Sequence, residues 1–160
     1  MLDPVDRQIL ALLQENARIP QAEIARTVGL APSAVLERIR KLEARGVLRD
    51  YVALIDPKAL DQRLLAFVAV RTTDRPGEAR VSHTLAAIPE VLEAHQVAGD
   101  DCLLLKIRAR DPEHLSEILR ERLGAVEGVR STRTTIVLET IKESPRLPFA
   151  AQETTREVVS

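Results

Sequence analysis

The sequence is short of the residues that commit a chain to disulfide, aromatic or membrane chemistry. A single cysteine, Cys102, excludes an intramolecular disulfide framework and gives no sign of an oxidising compartment. Aromatic residues make up 2% of the chain, which removes the usual stacking platform for single-stranded nucleic acid and leaves a double-stranded target if nucleic acid is bound at all. No run approaches the ~18 apolar residues of a membrane span, and the opening Met1-Leu2-Asp3-Pro4 lacks a basic stretch followed by an apolar one. The chain therefore reads as soluble, unexported and cytoplasmic. Charge of one sign is missing too: the formal net charge is -1, so any contact with a polyanion needs locally sorted charge.

What is present is a large apolar fraction, 45% of 160 residues, enough for one domain or two small ones. Residues 1–55 read as helical. Asp3 caps a first helix with Pro4 at its opening position, and Val5, Ile9, Leu12 and Leu13 form one face. A second helix from about residue 20 carries Ile24, Ala25 and Val28 inward and stops at Gly29. Pro32 opens a third, with Val35, Ile39 and Leu42 inward, that ends at Gly46. Residues 47–55 turn β-like, and Asp56-Pro57 breaks the pattern, which places a hinge at residues 56–62.

Residues 63–143 have a different character. Strand-like stretches at 64–72 and 91–98 flank a helix at 77–88. A turn at Gly99-Asp100-Asp101, a strand at 102–109, a helix capped by Asp111-Pro112 and a long strand at 129–141 repeat the unit. Two β-α-β halves with right-handed crossovers give an α+β fold, a ferredoxin-like βαββαβ sandwich with two helices on one face of an antiparallel sheet. Leu65, Phe67, Leu103, Leu105, Ile136 and Leu138 provide apolar side chains for both sheet faces, which predicts a homo-oligomer. Residues 144–160 read as a tail, either an arm or disordered.

A helix-turn-helix needs a small residue where its helices cross, a glycine four positions on to turn the chain, and an aliphatic residue six beyond that. Ala25, Gly29 and Val35 meet all three, although the spacing also fits an ordinary helical hairpin. The third helix carries Arg38, Arg40, Lys41 and Arg45 away from Val35, Ile39 and Leu42, a row that suits phosphates. Ser33, Ala34 and Glu37 lie in the N-terminal half, the part that enters a major groove, where Glu37 suits a cytosine amino group; the alternative for Glu37 is a pair with Lys41 at i, i+4. Arg18 and Gln21 complete the candidate DNA-contacting set.

Both halves together resemble the Lrp/AsnC (leucine-responsive, feast/famine) family of transcription regulators over nearly all of residues 2–143. Asn16-Ala17-Arg18, Glu23-Ile24-Ala25, Val28-Gly29-Leu30 and Gly46-Val47-Leu48 look like its DNA-binding half. Val97-Ala98-Gly99-Asp100 and Gly128-Val129 with Thr132-Arg133-Thr134 look like its regulatory half. The resemblance implies a winged helix-turn-helix hinged to an αβ-sandwich, dimers through the sandwich sheets, and often octamers of four dimers. It also implies a small effector, usually an amino acid, bound between regulatory domains near Gly99, Asp100, Asp101, Thr132 and Thr134. The chain departs from the family at Cys102 and Leu103, where an aspartate and an aromatic residue are common, and at Pro20 and Ala31, where serine usually caps a helix.

The leading expectation is a sequence-specific transcription regulator of amino-acid-related metabolism. It reads two half-sites on double-stranded DNA in the nucleoid through paired third helices. The alternative is a nucleoid-associated protein that wraps DNA with little sequence choice. An enzyme is not expected: Cys102, His83, His95 and His114 are not spaced as a nucleophile or metal site, and no catalytic residue, metal or cofactor is assigned beyond the amino-acid effector.

Overall fold

The computed structural model describes residues 2–75, 77–99 and 102–149; the effector candidates Asp100 and Asp101 lie outside the described residues. The described residues divide into two compact units, one within residues 2–53 and 143–149 and one within residues 54–142.

The first unit packs three helices, α1 (Pro4–Glu15), α2 (Gln21–Val28) and α3 (Pro32–Ala44). Asp3 begins α1 by accepting the Asp6 N–H at 2.7 Å, and Pro4 follows where a missing N–H costs nothing. Ile9, Leu13, Ile24, Ala25, Val35, Ile39 and Leu42 close into one buried cluster, the stripes that helical spacing predicts. The segment read as β-like at residues 47–55 forms no strand: the Val47 and Leu48 N–H groups turn back to the Leu42 carbonyl at the end of α3, and the rest pairs with no strand among the described residues; Val52, Leu54 and Ile55 are exposed. Residues 144–149 lie against α1. Gln14 Nε2 donates to the Leu147 carbonyl at 2.7 Å while the Leu147 N–H donates to Gln14 Oε1 at 2.9 Å.

The second unit opens with a 3-10 turn (Pro57–Leu60) and continues as β1 (Leu64–Thr72), α4 (Arg80–Ala86), β2 (Val91–Gln96), β3 (Leu103–Ala109), α5 (Pro112–Glu117) and β4 (Val129–Ile136); α5 runs on into a π-helical turn at Ile118–Leu123. The sheet is antiparallel in the order β2-β3-β1-β4, the ferredoxin-like arrangement. Alternation in β3 buries Leu103, Leu105, Ile107 and Ala109 with Ala66, Val68 and Val70 of β1, against Val81, Leu85, Leu115, Ile118 and Leu123 from the helical layer. Several elements are shorter than their sequence suggests, among them the strand expected over 91–98, which ends at Gln96. The helix expected over 77–88 starts at Arg80, and the strand expected to reach residue 141 ends at Ile136, leaving Leu138 and Ile141 exposed.

Candidate nucleic-acid interface and effector region

Gly29 makes the turn between α2 and α3. Its φ of 71° and ψ of 32° lie in the left-handed region open to glycine, and the Leu30 N–H reaches back to the Ala25 carbonyl at 3.0 Å. Ala25 and Val35 are both buried where the helices meet, so the small residue, the glycine and the aliphatic residue each perform the task that the spacing assigned to them.

With Val35, Ile39 and Leu42 inward, the 100° step of an α-helix sends Ser33, Glu37, Arg40 and Lys41 outward, and all four are exposed. Ala34 is half-buried, and Arg45 is exposed just past the last turn. Gln21 lines the same surface hollow as Arg40, bringing the start of α2 beside α3, and Arg18 is exposed in the turn before α2, with its N–H held by Asn16 Oδ1 at 3.0 Å. Glu37 and Lys41 form an ion pair at 2.6 Å with both side chains about two-thirds exposed; the hydrogen bond from Lys41 holds the Glu37 carboxyl below its usual range. The bond is readily exchanged for a base or phosphate, because exposed pairs of this kind are weak.

Arg38 departs from the expected row. It sits at the edge of the buried face, and its Nη1 donates to Asp3 Oδ2 at 2.6 Å and Asp6 Oδ1 at 2.8 Å. Both acids belong to the start of α1, so the guanidinium joins two helices of the unit and is already neutralised. Tyr51 is a second tie: its hydroxyl donates to Glu43 Oε1 at 3.0 Å, and burial together with that carboxylate pushes its pKa up to about 12. Neither tie was visible as a spacing in the sequence; α1 meets α3 only once the chain has folded.

Among the described effector candidates, Gly99 is not placed beside Thr132 and Thr134. Gly99 lies in the β2–β3 turn with φ of 130°, and the turn is closed by the Val97 N–H on the Cys102 carbonyl at 3.1 Å. Thr132 and Thr134 pair with Val70 and Val68 on β4, the opposite edge strand, where Thr132 is exposed and Thr134 half-buried. Leu103 also pairs with Val70, so turn and threonines share one end of the sheet, with β3 and β1 between; two strand spacings set Leu103 and Thr132 about 10 Å apart. His83, His95 and His114 lie on three different elements, α4, β2 and α5.

Comparison with known proteins agrees with both units. Residues 2–43 match the AsnC-type helix-turn-helix domain and residues 65–147 the Lrp/AsnC ligand binding domain. The chain is 40% identical over 149 residues to the HTH-type transcriptional regulator FL11 of Pyrococcus horikoshii, covering 92% of this chain and 97% of that one. It is 41% identical to the leucine-responsive regulatory protein of Salmonella typhimurium, covering 91% and 90%. Among solved structures, a feast or famine regulatory protein from M. tuberculosis complexed with L-methionine is similar with a TM-score of 0.84 and 35% identity, covering 92% of this chain and 99% of that one. The fold, the turn at Gly29 and these matches over both units establish that the chain belongs to the Lrp/AsnC family of transcription regulators.

Proposed function

We propose that the chain binds double-stranded DNA through the outward face of α3, with Ser33, Glu37, Arg40 and Lys41 at the groove and Arg18, Gln21, Ala34 and Arg45 beside it. The observation that carries this reading is the division of α3 into a buried stripe and an exposed face whose charges, among the described residues, have either no ion-pair partner or the weak Glu37–Lys41 pair alone. Phosphate contacts from Arg and Lys supply affinity, and groups at the helix N-terminal half read base edges. Arg38 is left out of this set.

An amino acid modulates that binding, and its site is built from two copies of the chain. The support is that the β2–β3 turn holding Gly99 and the β4 threonines Thr132 and Thr134 are separated by β1, a spacing that suits a pocket shared with a second copy. The L-methionine complex of the M. tuberculosis relative supports the ligand class. A homodimer is the minimum assembly, an octamer of four dimers the larger form, and the setting is the nucleoid. No chemical step is assigned to any residue.

The test is fluorescence anisotropy with promoter fragments from the source genome and with random DNA of equal length, at several salt concentrations, with and without amino acids. Promoter fragments should bind at least about a thousandfold more tightly than random DNA, within the range of specific regulators. Equal affinity for both would replace this reading with DNA wrapping of low specificity, and no binding to either would overturn the placement of α3.

A further inference from the structure

At the end of the sheet away from the Gly99 turn, the second unit holds a cavity of about 470 Å³. Its walls come from the segment preceding β1, the start of β2 and the junction of β3 with α5. None of the described effector candidates lines it. Arg108 Nη1 approaches the Gln62 carbonyl at 3.5 Å on one side and joins β3 to the segment before β1.

Three chemistries converge there. Ile55, Leu60 and Leu92 form an apolar wall and are 63%, 60% and 54% exposed, so the wall is open to an apolar occupant. Glu90 lines the cavity, and its Oε2 is shut off from water without a hydrogen-bond partner among the described residues, a costly state for a carboxylate oxygen. Opposite in charge, Arg110 brings a permanent cation, and His114 is oriented beside it. The Arg110 N–H donates to His114 Nδ1 at 3.2 Å, so the neutral imidazole keeps its proton on Nε2 as a donor.

A carboxylate suits the Arg110 guanidinium and the His114 Nε2–H, an ammonium suits Glu90, and an aliphatic chain suits Ile55, Leu60 and Leu92. From this combination we infer that the cavity is a binding site for a zwitterionic α-amino acid with an aliphatic side chain, separate from the Gly99 and Thr132 region and independent of whether that region binds anything. Rotation of the Glu90 carboxylate about its terminal torsion, which is broad and soft, presents Oε2 to the ammonium. A free phosphate fits less well, since Glu90 repels it and the apolar wall leaves its oxygens unsatisfied. The volume lies within the range of ordinary small-molecule pockets. Because Ile55, Pro57 and Leu60 belong to the segment that enters β1, a bound amino acid fastens that segment to β2 and β3.

The test is isothermal titration of the full chain with L-leucine and with 4-methyl-2-oxopentanoate, which keeps the carboxylate and the aliphatic chain and lacks the ammonium. NMR of the His114 ring runs alongside it, with the signal assigned among the three histidines by His114→Gln. L-leucine should shift the His114 signals. Glu90→Gln, with an unchanged melting temperature as its folding control, should weaken that response at least tenfold, to the level of the oxo acid. Arg110→Gln should weaken the binding of both ligands, and Thr134→Val should leave the His114 response intact. No His114 shift, or a shift equally strong in Glu90→Gln, overturns the site. A His114 response that is abolished by Thr134→Val assigns the ligand to the Gly99 and Thr132 region and overturns this inference while that reading stands; the reverse pattern sinks the other reading alone.

Discussion

Arg38 Nη1 stands 2.6 Å from Asp3 Oδ2, and through this contact α3 is fastened to the residue that caps α1. Asp3 thus serves twice: one oxygen takes the Asp6 N–H, and the other takes the guanidinium. Arg38 and Arg40, two positions apart, are therefore expected to respond in opposite ways to truncation. Arg38→Ala should lower the melting temperature and leave the salt dependence of DNA binding unchanged. Arg40→Ala should leave the melting temperature within error and lower the slope of log affinity against log salt by about one. The assignment fails if Arg38→Ala flattens the salt slope at full stability.

The same contact predicts an acid response. The Asp6 N–H first and the Arg38 hydrogen bond second hold the Asp3 carboxyl below its ordinary value of 3.8. A carboxyl with a depressed folded-state pKa binds its proton more weakly than in the unfolded chain, so its contribution is complete above 3.8 and is lost as pH falls through the folded value. Asp3→Asn keeps an acceptor for the cap and removes the titration. Melting curves taken from about pH 5 to pH 2 should fall less steeply for Asp3→Asn than for the parent. Parallel curves would show that the ion pair does not form in solution.

Ala31 opens α3 in extended conformation, φ -69° and ψ 146°, with no side chain to accept an N–H of the first turn. Serine at that position reaches N2 or N3 without any change of backbone. Ala31→Ser should therefore stabilise the first unit by about 1 kcal/mol, read as a higher melting temperature. A lower melting temperature would mean that the uncapped N–H groups already have partners that the hydroxyl displaces.

Local signals were legible because their physics is local. Asp3-Pro4 and Asp111-Pro112 start helices with a carboxylate on an N–H three residues on, Gly29 supplies the left-handed turn, and alternation from Leu103 to Ala109 gives a strand with one buried face. What stayed hidden depends on residues far apart in the chain. The helix after β1 begins at Arg80 because the Asp74 carboxylate, seven residues before Val81, accepts the Val81 and Ser82 N–H groups at 3.0 and 3.2 Å. In sequence Arg38 looks like a phosphate contact, since nothing in its neighbourhood names Asp3 or Asp6. The grouping of Gly99 with Thr132 and Thr134 came from family resemblance, and only the strand order reveals that β3 and β1 separate them. The β-like residues 47–55 have strand composition and no strand, since pairing needs a partner that the described residues do not provide.

Gly128 offers the sharpest test of packing in the second unit. Its φ of 103° lies where side chains are strained, and a Cβ built there would meet Val81 Cγ2 at 2.6 Å and Thr73 Oγ1 at 2.8 Å. Val81 is fully buried in α4, while the Gly128 carbonyl accepts the Thr73 N–H at 2.8 Å, so neither side yields without moving an element. Gly99 has a φ of 130° and open space around its missing Cβ, so its substitution meets backbone strain alone. Backbone strain of this kind costs about 1–3 kcal/mol, and the clash adds to it only at Gly128. Gly128→Ala should accordingly lower the unfolding midpoint clearly more than Gly99→Ala in the same denaturant series. Equal midpoints would mean that α4 and the start of β4 separate easily, and that the close approach at Gly128 contributes nothing to holding them.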